Sequence, residues 1–147
     1  MSSADQSLIW RRDAEVPQAD LDAVREGVLL YGRQQAQGSD ARDIACALYD
    51  GERLLAGAQG RTEFGRLYIN YLWVEPEHRA QGLGSKCLRQ LEAQALQRGC
   101  VDALIETLSD ETAQIYEHLG YVCIAHVHDY VPGFTRHILL KVWKPRD

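Results

Sequence analysis

Apolar residues along this chain alternate between two periods, and the places where the period changes divide it into elements. Leu8-Ile9-Trp10 is a short apolar run closed by Arg11-Arg12-Asp13, and it predicts a first strand. Pro17 and Asp20 mark a helix start. Leu21, Val24, Val28 and Tyr31 then recur at helical spacing to about Gln37, with Gly27 and Gly32 weakening the helix. Gly38-Ser39-Asp40 predicts a loop. Ile44 to Tyr49 and Arg53 to Gly60 are apolar runs flanking Asp50-Gly51, which predicts a β-hairpin. After a turn at Glu63 to Gly65, the run Leu67 to Val74 is almost wholly apolar or aromatic. That pattern predicts a central strand covered on both faces, with Tyr71 and Trp73 in the core.

Helical spacing returns at Leu83, Cys87, Leu88, Leu91 and Ala95, with Lys86, Arg89, Gln90 and Gln97 opposite and Gly99 closing the helix. Ala103 to Thr107 is a buried-type strand. Strand, helix and strand in succession predict a βαβ unit whose strands run parallel. Ser109 or Asp110 caps a short helix carrying Ala113, Ile115, Tyr116 and Leu119, which Gly120 stops. Tyr121 to His128 and Arg136 to Trp143 predict two closing strands. The order argues for an α+β fold with a mixed sheet.

At 147 residues the chain has the size of one domain, 1–147, with room for a single good core. Its 16 basic and 21 acidic residues leave a net charge of −5, which disfavours a nucleic-acid surface. An anion must therefore be held by local dipoles and charges. Met1 to Ser7 has neither a basic start nor an apolar run, and no stretch is apolar enough to span a bilayer. A cytoplasmic protein with no membrane partner is expected. Cys46, Cys87, Cys100 and Cys123 are scattered without a Cys-x-x-Cys pair, so reduced core thiols are expected rather than disulfides or a metal site. His126 and His128 share one strand face, but no third ligand is evident and no metal is expected.

The junction from Leu72 to Leu88 carries the chemistry. An apolar strand ends, a Pro76 turn follows, and Arg79-Ala80-Gln81-Gly82-Leu83-Gly84 opens the long helix. A helix start leaves backbone N–H groups without partners at the positive end of the helix dipole, which suits a phosphate. Gly82 and Gly84 allow close approach, and Arg79 adds a charge; His78 reads as a solvated turn residue. The spacing matches neither the phosphate-binding loop of nucleoside triphosphatases nor the Gly-x-Gly-x-x-Gly fingerprint of dinucleotide binding.

With Arg79, Gly82 and Gly84, the stretch resembles the [Gln/Arg]-x-x-Gly-x-[Gly/Ala] motif of the GNAT superfamily of acyl-CoA-dependent N-acyltransferases. Ile115-Tyr116-Glu117-His118-Leu119-Gly120-Tyr121 is similar to that family's Tyr-x-x-x-Gly-[Phe/Tyr] segment. Asp129 to His137 is similar to a loop of small bacterial members. The likeness runs from about Asp43 to Lys144. It implies a three-layer α/β/α arrangement around a mixed sheet of seven strands, splayed at its central parallel pair, with acetyl-CoA as co-substrate in the cleft. The backbone of Leu72 and Val74 would then hold pantetheine, and the amides of Gln81, Gly82, Leu83, Gly84 and Ser85 would hold pyrophosphate beside Arg79.

Tyr116 would be the general acid toward the departing thiolate. Asn70, Glu63, Glu75 and Glu106 are candidates for the base, Glu106 foremost. Relatives often carry Asn and Ala where this chain has Ser109 and Thr112, and Ser109 keeps a hydroxyl able to donate to pantetheine. Asn70, Tyr130 and Phe134, with Arg136, are candidates for the acceptor pocket. A primary amine of a small molecule or peptide is the implied acceptor, and a homodimer is compatible with the family. Two rival readings are a non-catalytic acyl-CoA-binding module and a nucleotide-binding protein.

Overall fold

The computed structural model describes residues 7–35 and 40–146. Contacts divide the chain into two compact units, Met1–Ser39 and Asp40–Asp147. In the first, Asp13–Glu15 forms a single 3-10 turn and α1 spans Gln18–Gln35. The expected helix end near Gln37 and the residues Gly38-Ser39 lie outside the described residues. Leu8-Ile9-Trp10 forms no strand. Three residues hemmed by Arg11-Arg12-Asp13 gain too few ladder bonds to offset the cost of ordering them.

The second unit is a six-stranded sheet in the order β1-β2-β3-β4-β6-β5. Its elements are β1 (Arg42–Asp50), β2 (Arg53–Glu63), β3 (Arg66–Val74), α2 (Leu83–Gln97), β4 (Asp102–Thr107), α3 (Asp110–His118), β5 (Val122–Val131) and β6 (Phe134–Val142). The α+β class and the mixed sheet agree with expectation. Among the described residues the expected seventh strand is absent, because Leu8-Ile9-Trp10 does not form it. Asp50-Gly51 makes the β1–β2 hairpin, with Gly51 at φ 59°. The pair β3–β4 is the parallel one, joined through α2.

Helix α2 turns Cys87, Leu88, Leu91 and Ala95 into the core, where Leu67, Leu88, Leu91 and Leu139 are fully buried. Each such leucine contributes about 2 kcal/mol of transfer free energy. Glu92 lies on the same buried side, and its carboxylate meets Lys141 Nζ at 2.9 Å and Tyr121 Oη at 3.4 Å. The helix α3 starts at a Ser109 cap, whose Oγ accepts from the Thr112 N–H at 3.1 Å.

Two features of β3 shape the cleft beside it. Its parallel pairing to β4 covers only Arg66, Leu67 and Tyr68, opposite Asp102 to Leu104. Beyond Tyr68 the two strands have no ladder and splay. In addition, Tyr71 pairs with Gln59 while Ile69 pairs with Gly60, so Asn70 is the extra residue of a β-bulge. The bulge switches the parity of the strand. Leu67 and Ile69 face the core before it and Leu72 and Val74 pack toward the core after it, while Tyr71 and Trp73 are exposed. The expected burial of those two aromatic residues is therefore corrected.

The closed end of the splayed pair is held by charge. Asp102, at the start of β4, takes hydrogen bonds from Arg66 Nε at 2.7 Å and Arg146 Nε at 3.0 Å. Burial alone would push this carboxyl up, but the hydrogen bonds from the two guanidinium groups outweigh it and hold the carboxyl below its ordinary value.

Candidate active site

Where β3 ends, Glu75 is gripped by Arg53 and stands 2.8 Å from His78 Nδ1. Arg79 Nε donates to the Val74 carbonyl at 3.0 Å. These contacts fold the chain back so that α2 begins beside the strand it follows. Ala80 and Gly82 both adopt left-handed backbone, at φ 63° and 76°. That conformation is available to Gly82 without strain and costs Ala80 about 1–2 kcal/mol. The first intrahelical bond of α2 runs from the Lys86 N–H to the Gly82 carbonyl, so the amides just before Lys86 are the free donors of the helix start.

Those amides open onto a cavity of about 280 Å³, lined among others by Leu72, Val74, Arg79, Gly82, Gly84, Ser85 and Tyr116. A side chain on Gly84 would meet Val74 Cγ2 at 3.6 Å and Leu72 Cδ2 at 3.9 Å. That is ordinary contact, so a methyl fits and anything larger intrudes on the cavity. His78 lines the same space rather than standing free of it.

A second cavity, of about 460 Å³, fills the splay between β3 and β4. Asn70, Tyr71, Leu72, Glu106, Thr107, Thr112 and Tyr116 are among its walls. Leu72, Thr112 and Tyr116 border both cavities. Tyr116 is 6% exposed, and burial pushes its hydroxyl up to about 12. The phenol therefore stays neutral and able to donate across the physiological range.

A sequence profile for the acetyltransferase (GNAT) family matches residues 8–121. The chain belongs to that family. It is 36% identical over 94 residues to the blasticidin-S acetyltransferase of Streptomyces morookaense, covering 62% of this chain and 69% of that relative. The crystal structure of an Agrobacterium tumefaciens protein assigned as an acetyltransferase superposes with a TM-score of 0.82 at 26% identity, covering 92% of this chain and 99% of that one. An aminoglycoside 6'-N-acetyltransferase solved with coenzyme A shares the fold at a TM-score of 0.61 and 19% identity, over 71% of this chain and 75% of that one.

In this GNAT chain the residues singled out by sequence fall into separate groups. Leu72, Val74, Arg79, Gly82, Leu83, Gly84 and Ser85 come together at the first cavity with Tyr116. Gln81, in the turn just before α2, is exposed. Asn70 and Glu106 reach the second cavity. Glu106 is not a free carboxylate there, since Arg136 Nε donates to its Oε2 at 2.7 Å. Glu63 ends β2 opposite Arg66, at the closed end of the splayed pair, and Glu75 is committed to Arg53. Neither is among the walls of the two cavities that Tyr116 borders.

Ser109 and Phe134 line a third cavity of about 570 Å³ with Asp110, Gly133 and Thr135. The Tyr130 ring lies under the Arg136 guanidinium, 4.9 Å from it. Thr112, which departs from the family pattern, adds a second hydroxyl beside Tyr116 to the wall shared by the first two cavities. Its position one turn before Tyr116 on α3 is the signal that sequence offers for it.

Proposed function

We propose that this GNAT chain moves the acetyl group of acetyl-CoA onto a primary amine by direct transfer in a ternary complex. The observation that carries the proposal is the buried Tyr116 hydroxyl on the wall common to two cavities, one under a helix start built for phosphate and one open for an acceptor. The solved relative holding coenzyme A supports the donor, and the blasticidin-S relative supports a small-molecule amine as acceptor.

In this reading the pyrophosphate takes the amides of Gln81, Gly82, Leu83, Gly84 and Ser85 with the charge of Arg79. Pantetheine runs along the unladdered edge of β3 at Leu72 and Val74 as an added strand would. Ser109 still has a hydroxyl proton to offer, because its cap bond uses only the oxygen as acceptor. The amine nitrogen bonds to the thioester carbon, the C–S bond breaks, and Tyr116 donates to the departing sulfur. A phenol raised to about 12 is a reluctant acid in water, but a thiolate in the same dry cleft is destabilised too, and the gap narrows. Glu106, through Oε1, since Arg136 holds only Oε2, and with Asn70 across the cavity, accepts the proton shed by the amine, directly or through water.

Release of CoA thiol, followed while acetyl-CoA is offered a panel of small-molecule and peptide amines, tests the reading. Amine-dependent release above the rate of hydrolysis is expected. Saturable binding with no release under any amine would favour a non-catalytic acyl-CoA module.

Two further outcomes are expected. Gly84→Ala should hold acetyl-CoA within about twofold of the parent, whereas Gly82→Ala, forced into left-handed backbone, should bind about tenfold more weakly. Calorimetric titration of the two variants reads this difference, and the reverse order would remove the turn from the phosphate site. The pH profile is the other. Since the raised Tyr116 keeps its proton, kcat should show no alkaline fall before about pH 10. An alkaline limb near pH 8 that vanishes in Tyr116→Phe would contradict a buried neutral phenol.

A further inference from the structure

On the helix-covered side of the β5–β6 pair, three side chains that the acetyl-transfer chemistry leaves unused converge. The ligand atoms of Cys123, His126 and His137 all lie within 4.8 Å of one another. In a regular strand, residues three apart point to opposite faces, and Cys123 could not meet His126. Here Cys123 pairs with Leu139 and Ala125 with Ile138, so Ile124 is an inserted residue. That bulge brings Cys123 and His126 onto one face. His137 stands directly opposite His126 across the ladder, with the two rings 5.0 Å apart.

We propose that Cys123, His126 and His137 form a binding site for a divalent transition-metal ion of the zinc class. Thiolate with imidazole is the donor set that zinc favours. Cys123 Sγ is 3.3 Å from His126 Nε2, against a separation of roughly 3.5 Å between sulfur and nitrogen ligands of one tetrahedral zinc. A ring nitrogen of His137 lies within 4.8 Å of both other ligand atoms. Asp110, in the first turn of α3, stands 2.7 Å from His137 Nε2. A carboxylate there fixes the proton on that nitrogen and leaves Nδ1 with its lone pair, the arrangement usual behind a metal-bound histidine. Three protein ligands leave the fourth position to water. Binding converts the Cys123 thiol to thiolate, with its proton released to solvent.

The accessibility of the three residues suits ion entry: Cys123 is half-buried, His126 exposed and the His137 side chain 13% exposed. Competing thiols are poorly placed, because Cys87 and Cys100 are buried and burial pushes both thiols up. Through Asp110 the ion would tie the β5–β6 pair to the start of the helix that carries Tyr116. The site thus lies beside the proposed acetyl-transfer machinery but does not depend on it.

Titration of the full, untagged chain with Co²⁺ tests the site by its spectrum. One equivalent should produce visible bands of four-coordinate cobalt and a near-ultraviolet sulfur-to-cobalt charge-transfer band, and Zn²⁺ should bleach both. Cys123→Ser should lose the charge-transfer band, and His126→Ala, a change at an exposed position that leaves the fold intact, should weaken Co²⁺ binding at least tenfold. A spectrum with no charge-transfer band, or one that persists in Cys123→Ser, overturns the proposal. So does undiminished Co²⁺ affinity in His126→Ala.

Discussion

Tyr116→Phe is expected to bind acetyl-CoA as the parent does while kcat falls about a hundredfold or more, the range typical of a lost general acid. Removing one oxygen from a residue 6% exposed leaves the ring packed against Tyr121, whose centroid is 6.1 Å away. The fold and the cavity walls survive. The hydroxyl is the difference, and burial is the cause of its raised value. The effect should therefore fall on kcat and leave KM for acetyl-CoA near its parent value. Steady-state kinetics with a saturating amine separates the two. Equal turnover in the variant would take Tyr116 out of the mechanism, and a raised KM with unchanged kcat would make it a binding residue.

Asp102→Asn is expected to cost about 3 kcal/mol of folding stability, read by urea unfolding. The carboxylate side chain is 4% exposed and holds both Arg66 and Arg146. Removing one partner of a buried ion cluster strands the others, at roughly 3–5 kcal/mol; the lower end applies because both arginines can reach water. The pH dependence has a definite sign. With its folded value held below the ordinary one, the Asp102 carboxyl contributes stability that is present above its unfolded pKa of about 3.9 and is lost as pH falls through the folded value. The parent should weaken below about pH 4, and the variant should lack that part of the acid limb. Because β3 and β4 pair over so short a stretch, the same change should also loosen the cleft and raise KM for acetyl-CoA. Unchanged stability would mean that the cluster holds nothing together.

Much of the fold is legible in the sequence because its signals are local. Asp50-Gly51 sits between two apolar runs, Gly99 and Gly120 follow helical stripes, and Leu67 to Val74 leads through α2 to Ala103 to Thr107. Each of these needs only a few consecutive residues to be read. Sequence and structure part where register decides. In a run as apolar as Leu67 to Val74, period-two reasoning cannot see that Asn70 is inserted, so it places Tyr71 and Trp73 in the core when the bulge turns them out. Gly60 is the available hint. A side-chain carbon there would fall 1.9 Å from the Tyr68 carbonyl oxygen, a close backbone approach of the kind that marks bulges.

The site divides the same way. Arg79, Gly82, Gly84 and Tyr116 belong to short motifs and assemble at one cavity. Glu106 with Arg136, and Cys123 with His137, meet only through the β4–β6–β5 pairing and its register shifts. No spacing in the sequence encodes those meetings.

A crystal structure of the chain with coenzyme A bound decides whether the cleft that runs from the start of α2 along the splayed edge of β3 holds acetyl-CoA and ends at Tyr116. The pyrophosphate should lie on the amides from Gln81 to Ser85, pantetheine should run along Leu72 to Val74, and the sulfur should rest within about 3.5 Å of the Tyr116 hydroxyl. Coenzyme A seated elsewhere, or a sulfur out of reach of Tyr116, would contradict it.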